Sequence, residues 1–355
     1  MKKNLIFILI MALGLVSCNK PSFKINVQCQ NGEDAMVYLS RVTIDDIIPI
    51  DSTSLRNGQA KLKVPSGDVQ DLYLLFIEGI QDFIPLLPEN KDVTVITDID
   101  DPTATNVTAS DAQALLNTFN IQMRQKFDEL YPAYIEAQNN DDEAAGDSIA
   151  QMIIDELNNY KFNFIKENAD NFASHYILND MKQDCPLDTL KSLVGSFGDT
   201  KSIYLDAINE YIDKQEKLEI GQPFIDFTLQ TVLGEDIKLS DIVSANKLTL
   251  VDFWASWCSP CRKENPNVVA AYNKYHKAGF DVLGVSVDRD DAEWMKAVRD
   301  DGLKWTQVRD ADNIASDLYS IYYIPSNFLI DQNGTIIAKG LRGEDLEAKL
   351  NELLK

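Results

Sequence analysis

The sequence predicts an α/β domain at its C-terminal end, a central mixed sheet flanked by helices. A small antiparallel β domain and an α-helical spacer precede it. Three observations carry this. Short apolar runs punctuated by turn residues fill 23–97, apolar residues recur at helical spacing from about 108, and strand-like and helix-like runs alternate from about 218. At ~150 residues per domain, 355 residues fit two to three domains. With 45% hydrophobic and 25% charged residues the chain has globular composition, which excludes wholesale disorder. The formal charge of −23 would repel phosphate backbones and argues against nucleic-acid partners.

The first element is an address. Met1-Lys2-Lys3-Asn4 is basic, and Leu5 to Val16 is a run of 12 mostly apolar residues. A spanning helix needs ~20, so 1–17 reads as a signal peptide. Its end, Leu15-Val16-Ser17-Cys18, resembles a bacterial lipobox. That resemblance implies cleavage before Cys18 and lipid attachment there; the other reading is an ordinary signal peptide with a chance cysteine. The mature chain would have 338 residues and a charge of −25. With no other long apolar run, the lipid would be the membrane anchor. The expected place is the cell envelope, on a periplasm-facing lipoprotein of the outer membrane, where disulfide chemistry is permitted.

The β domain is assigned to 18–107. Its strand candidates are 23–27, 35–39, 60–64, 72–77 and 93–96, bounded by Asn31-Gly32, Asn57-Gly58 and Ser66-Gly67. It carries no catalytic cluster. The helical spacer is assigned to 108–217. Leu116, Phe119, Met123, Phe127, Leu130 and Tyr134 form one apolar stripe. Ile149, Met152 or Ile153, Leu157, Tyr160 and Phe164 form another, with the turn between them at 139–146. Shorter helices follow at 172–181, 187–195 and 200–216. Residues 98–159 hold 13 acids and two bases, a solvated face or a guide for a basic partner.

From 218 to 355 the strands are expected at 247–255, 280–287, 305–308, 326–330 and 335–339. Asn333-Gly334 joins the last two as a hairpin. Helices are expected after the first strand and at 290–301, 312–320 and 344–354. Cys258-Ser259-Pro260-Cys261 stands at the first strand-to-helix junction, where a C-x-x-C does redox work. Unsatisfied N–H groups at the helix start favour a thiolate at Cys258. Cys258 is therefore the expected attacking thiol and Cys261 the buried resolving one. Pro260 in the first turn costs no hydrogen bond. Asp252 interrupts an apolar strand, and by period 2 it shares a face with Leu248, Leu250 and Trp254. Burial there would raise its pKa and suit it to exchange the Cys261 proton. A solvent-facing Asp252 is the bland alternative.

At these residues the chain resembles thioredoxins. Cys261-Arg262-Lys263-Glu264 with Asn265-Pro266, and the 64 positions from Cys261 to Pro325, are similar to the envelope-tethered TlpA/ResA-type thiol–disulfide oxidoreductases. The resemblance implies a thioredoxin-like fold over 218–355 and a cis-proline at Pro325. It implies that the backbone at Ile324 lies against the disulfide and pairs with substrate, and that Trp257 shields the site. Glu264 would have a proton-handling role; an exposed helix residue is the alternative. Ser326 departs from the Thr common in that family. The front part resembles the β and helical segments that precede thioredoxin modules in Bacteroidetes lipoproteins. Protein disulfides are the implied substrates, with a membrane electron donor. No bound cofactor is implied, because the Cys258–Cys261 pair is itself the redox group.

Other readings stay open. A zinc knuckle lacks a second ligand pair near Cys29 or Cys185, so no metal is expected. A peroxidase would need Pro and Thr where Val251 and Ala255 stand. A non-catalytic binding lipoprotein would leave the cysteine pair without a task. Cys29 and Cys185 either staple two domains or stand as two buried thiols.

Overall fold

The computed structural model describes residues 21–43, 46–67, 71–140, 143–198 and 200–354; the leader at 1–17 and Cys18 lie outside them. The chain divides into two compact units. One runs to Asp180 and includes Ser192–Ala207; the other holds Met181–Lys191 and the chain from Ile208 onward.

The first unit opens with eight strands: β1 (Ser22–Gln30), β2 (Met36–Val42), β3 (Ile47–Ser54), β4 (Gln59–Pro65), β5 (Leu72–Ile77), β6 (Ile84–Leu86), β7 (Val93–Asp98) and β8 (Asn106–Thr108). They form two four-stranded sheets, ordered β4-β1-β7-β8 and β3-β2-β5-β6. Alternation along β1 turns Phe23, Ile25, Val27 and Cys29 inward, where they meet Val37, Leu39, Leu75 and Ile77 of the other sheet in one core. Every pairing is antiparallel except β1 with β7.

Helices α1 (Asp111–Asn139) and α2 (Glu143–Glu167) form the hairpin expected from the two stripes. Ser110 caps α1 by accepting the Gln113 N–H. The stripes are only partly core. Leu116, Phe119, Ile153 and Phe164 are buried, but Phe127 is 39% and Met152 51% exposed. A two-helix hairpin gives each helix one neighbour, so the outer edge of each stripe stays in water. Helices α3 (Phe172–Met181), α4 (Leu187–Val194) and α5 (Ile203–Glu216) follow. Cys29 and Cys185 are free, buried thiols. Burial raises both, Cys185 to about 11, so neither is poised as a thiolate.

The rest of the chain builds β9 (Thr228–Gln230), β10 (Asp236–Lys238), α6 (Leu239–Ala245), β11 (Leu248–Trp254), α7 (Ser259–Tyr275) and β12 (Phe280–Ser286). Then come α8 (Asp291–Asp300), β13 (Thr306–Arg309), α9 (Ile314–Leu318), β14 (Ser326–Asp331), β15 (Ile336–Lys339) and α10 (Gly343–Leu353). The seven strands lie in the order β10-β9-β13-β12-β11-β14-β15. β11, β12 and β13 run parallel, and β14 and β15 close the sheet antiparallel. All seven residues of β11 are buried, as a central strand covered on both faces requires. Leu248, Leu250 and Trp254 pack with Val268 of α7 and Leu346 of α10. Val251 and Phe253 pack on the other face with Val243 of α6 and Tyr319. Gly284 lets Gln307 approach, since a Cβ there would sit 2.2 Å from Gln307 Oε1, which accepts the Trp254 indole N–H.

Candidate active site

The site lies where β11 ends and α7 begins. β11 delivers the chain through Ala255 and Ser256 to Cys258, the N-cap of α7. Cys258 and Cys261 are joined in a disulfide. Cys258 Sγ accepts the Cys261 N–H at 3.2 Å, which directs one helix-start donor at this sulfur. Pro260 occupies the first turn and Pro266 lies inside the helix. Cys258 is 5% and Cys261 1% exposed, so both are buried, and both belong to one core cluster. Trp257 is 69% exposed, so its ring lies mostly in solvent beside the disulfide.

The Ile324–Pro325 peptide is cis, and the Ile324 carbonyl oxygen lies 3.8 Å from Cys258 Sγ. Ser326 keeps a hydroxyl after the proline and donates it to the Tyr323 carbonyl at 2.7 Å. Residues from the helical segment join this loop. The Tyr323 hydroxyl is 3.4 Å from Gln183 Oε1 and from Asp184 Oδ1, and the Tyr211 and Tyr322 rings are 5.9 Å apart. The distant sequence position of 183–211 hid this contribution.

Asp252 is 6% exposed, in register with Gly284 of β12 and Asn327 of β14. It alternates with Leu250 and Trp254, which share a core with both cysteines. Its pKa is pushed from 3.8 up to about 7, first by burial and then by the Glu264 carboxylate, while Arg342 opposes the shift. Glu264 is half-buried rather than exposed. Its Oε1 accepts the Gly343 N–H at 2.7 Å and its Oε2 accepts from Asn267 Nδ2 at 3.0 Å.

Sequence reasoning missed the groups that fix the active-site turn. Buried Asp288, just past β12, accepts the Ser256 N–H at 2.8 Å and hydroxyl at 2.6 Å, and the Ser286 hydroxyl at 2.7 Å. Arg262 donates to both oxygens of Asp301 and to the Ser256 carbonyl. Asn265 Nδ2 also donates to Asp301. A polar residue ending an apolar strand beside the C-x-x-C strand was the available signal for Asp288, since functional loops gather at the carboxyl ends of parallel strands. Among the described residues, no group of three or more His, Cys, Asp or Glu could hold a metal, and no helix is long and apolar enough to cross a membrane.

Comparison with known proteins matches residues 220–339 to the AhpC/TSA family and residues 23–116 to a domain of unknown function, DUF4369. The thiol-disulfide oxidoreductase ResA of Bacillus cereus is 32% identical over 145 residues, 41% of this chain and 82% of that protein. ResA of Bacillus thuringiensis subsp. konkukian gives the same identity and coverage. The crystal structure of a thioredoxin domain of a thiol-disulfide oxidoreductase from Bacteroides vulgatus is 35% identical. It covers 39% of this chain and 99% of that one, with a TM-score of 0.36.

Proposed function

This chain belongs to the ResA-type thiol–disulfide oxidoreductases, and from that premise we propose that it reduces disulfides of envelope proteins by dithiol–disulfide exchange. One observation carries the reading. Cys258 Sγ sits at the start of α7, facing the carbonyl of Ile324 before cis-Pro325, in the unit that holds buried Asp252.

In the reduced enzyme the Cys258 thiolate attacks a substrate disulfide. A mixed disulfide forms and one substrate thiolate leaves. The Asp252 carboxylate accepts the proton of Cys261, directly or through water. The Cys261 thiolate then attacks Cys258 Sγ, and the second substrate thiolate departs and takes up a proton. Two electrons pass to substrate, and the Cys258–Cys261 dithiol is oxidised to the disulfide. A membrane electron donor resets it. Trp257, Ile324 and Pro325 line the approach, and the Ser259-Pro260 dipeptide resembles that of reducing members. Peroxide reduction has less support, because Val251 and Ala255 are buried apolar residues at the positions that would carry Pro and Thr.

The direct test is reduction of insulin by catalytic amounts of the protein with dithiothreitol. Activity lost in Cys258→Ser is the expected result; activity retained in that variant overturns the reading. The envelope address rests on the leader and Cys18. Cys18→Ala is expected to release the protein from membranes and to remove the acyl mass. A variant that stays acylated and membrane-bound would refute the lipid anchor.

A further inference from the structure

The corner between β15 and α10 touches three functional parts of the site with consecutive residues. The Leu341 N–H donates to Asn327 Oδ1 at 2.9 Å, and Asn327 Nδ2 donates to the Leu341 carbonyl at 2.8 Å. Asn327 is the register partner of Asp252 on the adjacent strand. Arg342 donates through one guanidinium nitrogen to the Pro325 carbonyl at 2.7 Å. The Gly343 N–H donates to Glu264 Oε1 at 2.7 Å. Gly340 adds a backbone bond to the Asn327 carbonyl at 2.9 Å.

We propose that Arg342 is a positioning residue that ties the Ile324–Pro325 substrate loop to the Asp252–Glu264 carboxylate pair. Its hydrogen bond fixes the carbonyl of the cis-proline, the residue beside the one that faces Cys258 Sγ. The Asn327–Leu341 pair of bonds holds the backbone of the corner in place, and the bond to the Pro325 carbonyl holds the guanidinium at its far end. The same cation opposes the other two influences on Asp252, burial and Glu264. From α7 the charged group facing Asp252 is Glu264, and from the corner before α10 it is Arg342. Its register partners on β12 and β14 are the uncharged Gly284 and Asn327. Substrate docking and proton affinity therefore share one residue. The loop that receives the substrate chain and the field at Asp252 are set by the same guanidinium.

This rests on the proposed role of Asp252 as proton carrier, and the experiment separates the two. The rate of mixed-disulfide resolution is followed against pH with dithiothreitol-reduced protein, for the wild type, Arg342→Gln, Arg342→Lys and Asp252→Asn. KM and kcat are measured for insulin and for a small aromatic disulfide. The wild-type rate should rise through about pH 7 as Asp252 deprotonates. Arg342→Gln should move that midpoint up by roughly one unit, the size of a nearby opposite charge. It should also raise KM for insulin about tenfold, the cost of ordering a loosened docking loop on binding, with little change in KM for the small disulfide. Arg342→Lys should restore the midpoint. An Arg342→Gln midpoint at the wild-type position, with the limb abolished in Asp252→Asn, overturns the inference and leaves the mechanism standing. A Lys variant that titrates like Gln also overturns it. A limb that survives in Asp252→Asn overturns both.

Discussion

Cys261→Ser will turn the protein into a covalent trap. Cys258 keeps its place at the start of α7 and still attacks a disulfide, but the resolving thiolate is gone. A serine hydroxyl at neutral pH is far too weakly acidic to replace it. Turnover should fall by roughly a thousandfold or more, the scale seen when one member of a concerted set is removed. The mixed disulfide should accumulate with one substrate chain per enzyme and be released by dithiothreitol. Cys261 is 1% exposed and serine is nearly isosteric, so the fold tolerates the exchange. Intact-mass analysis without reduction reads the adduct, and Cys258→Ser should form none. Wild-type turnover by Cys261→Ser would show that the pair does not work as assigned.

Asp252→Asn should stabilise the oxidised protein at high pH and do so in a pH-dependent way. The native pKa is about 7 against 3.8 for the free side chain, so the folded state holds this proton more tightly than the unfolded one. Stability linked to Asp252 is fully present below about pH 4 and is lost as pH rises through the native pKa near 7. At ~1.4 kcal/mol per pKa unit, the loss approaches about 4 kcal/mol above pH 8. Asparagine does not titrate, so the variant escapes it. The stability difference between variant and wild type should be smallest near pH 4 and grow to a few kcal/mol by pH 8.5. All four tryptophans lie between Trp254 and Trp305, so urea unfolding followed by tryptophan fluorescence reports on the catalytic unit. A difference constant with pH would mean that Asp252 ionises normally.

These two outcomes rest on residues readable in sequence. The C-x-x-C at a strand-to-helix junction is local, and Asp252 announced itself by breaking an apolar run. The Asn333-Gly334 hairpin and the strands around it were legible for the same reason: period and turn chemistry act over a few residues. β3 was not legible. Its sequence Ile47-Ile48-Pro49-Ile50-Asp51-Ser52-Thr53-Ser54 carries a proline and no alternation, because it is an exposed edge strand with no buried face to pattern. The three-residue strands β9 and β10 are too short to show a period. The parallel pairing of β1 with β7 joins residues 68 positions apart, such as Ile25 and Val93. No local signal specifies it.

By itself, the sequence determined the C-x-x-C pair, the buried carboxylate on its strand and the alternation of strands and helices around them. Each follows from residue type and spacing within one or two elements. Only the tertiary structure decided what surrounds that chemistry. It seats Asp288 under the active-site turn, locks Arg262 onto Asp301, brings Tyr211 and Asp184 to the cis-proline loop and sets Arg342 on the Pro325 carbonyl. These contacts span 17 to 139 positions of chain. Their partners are chosen by how the sheet and helices pack, a property of the whole fold that no short window of sequence contains.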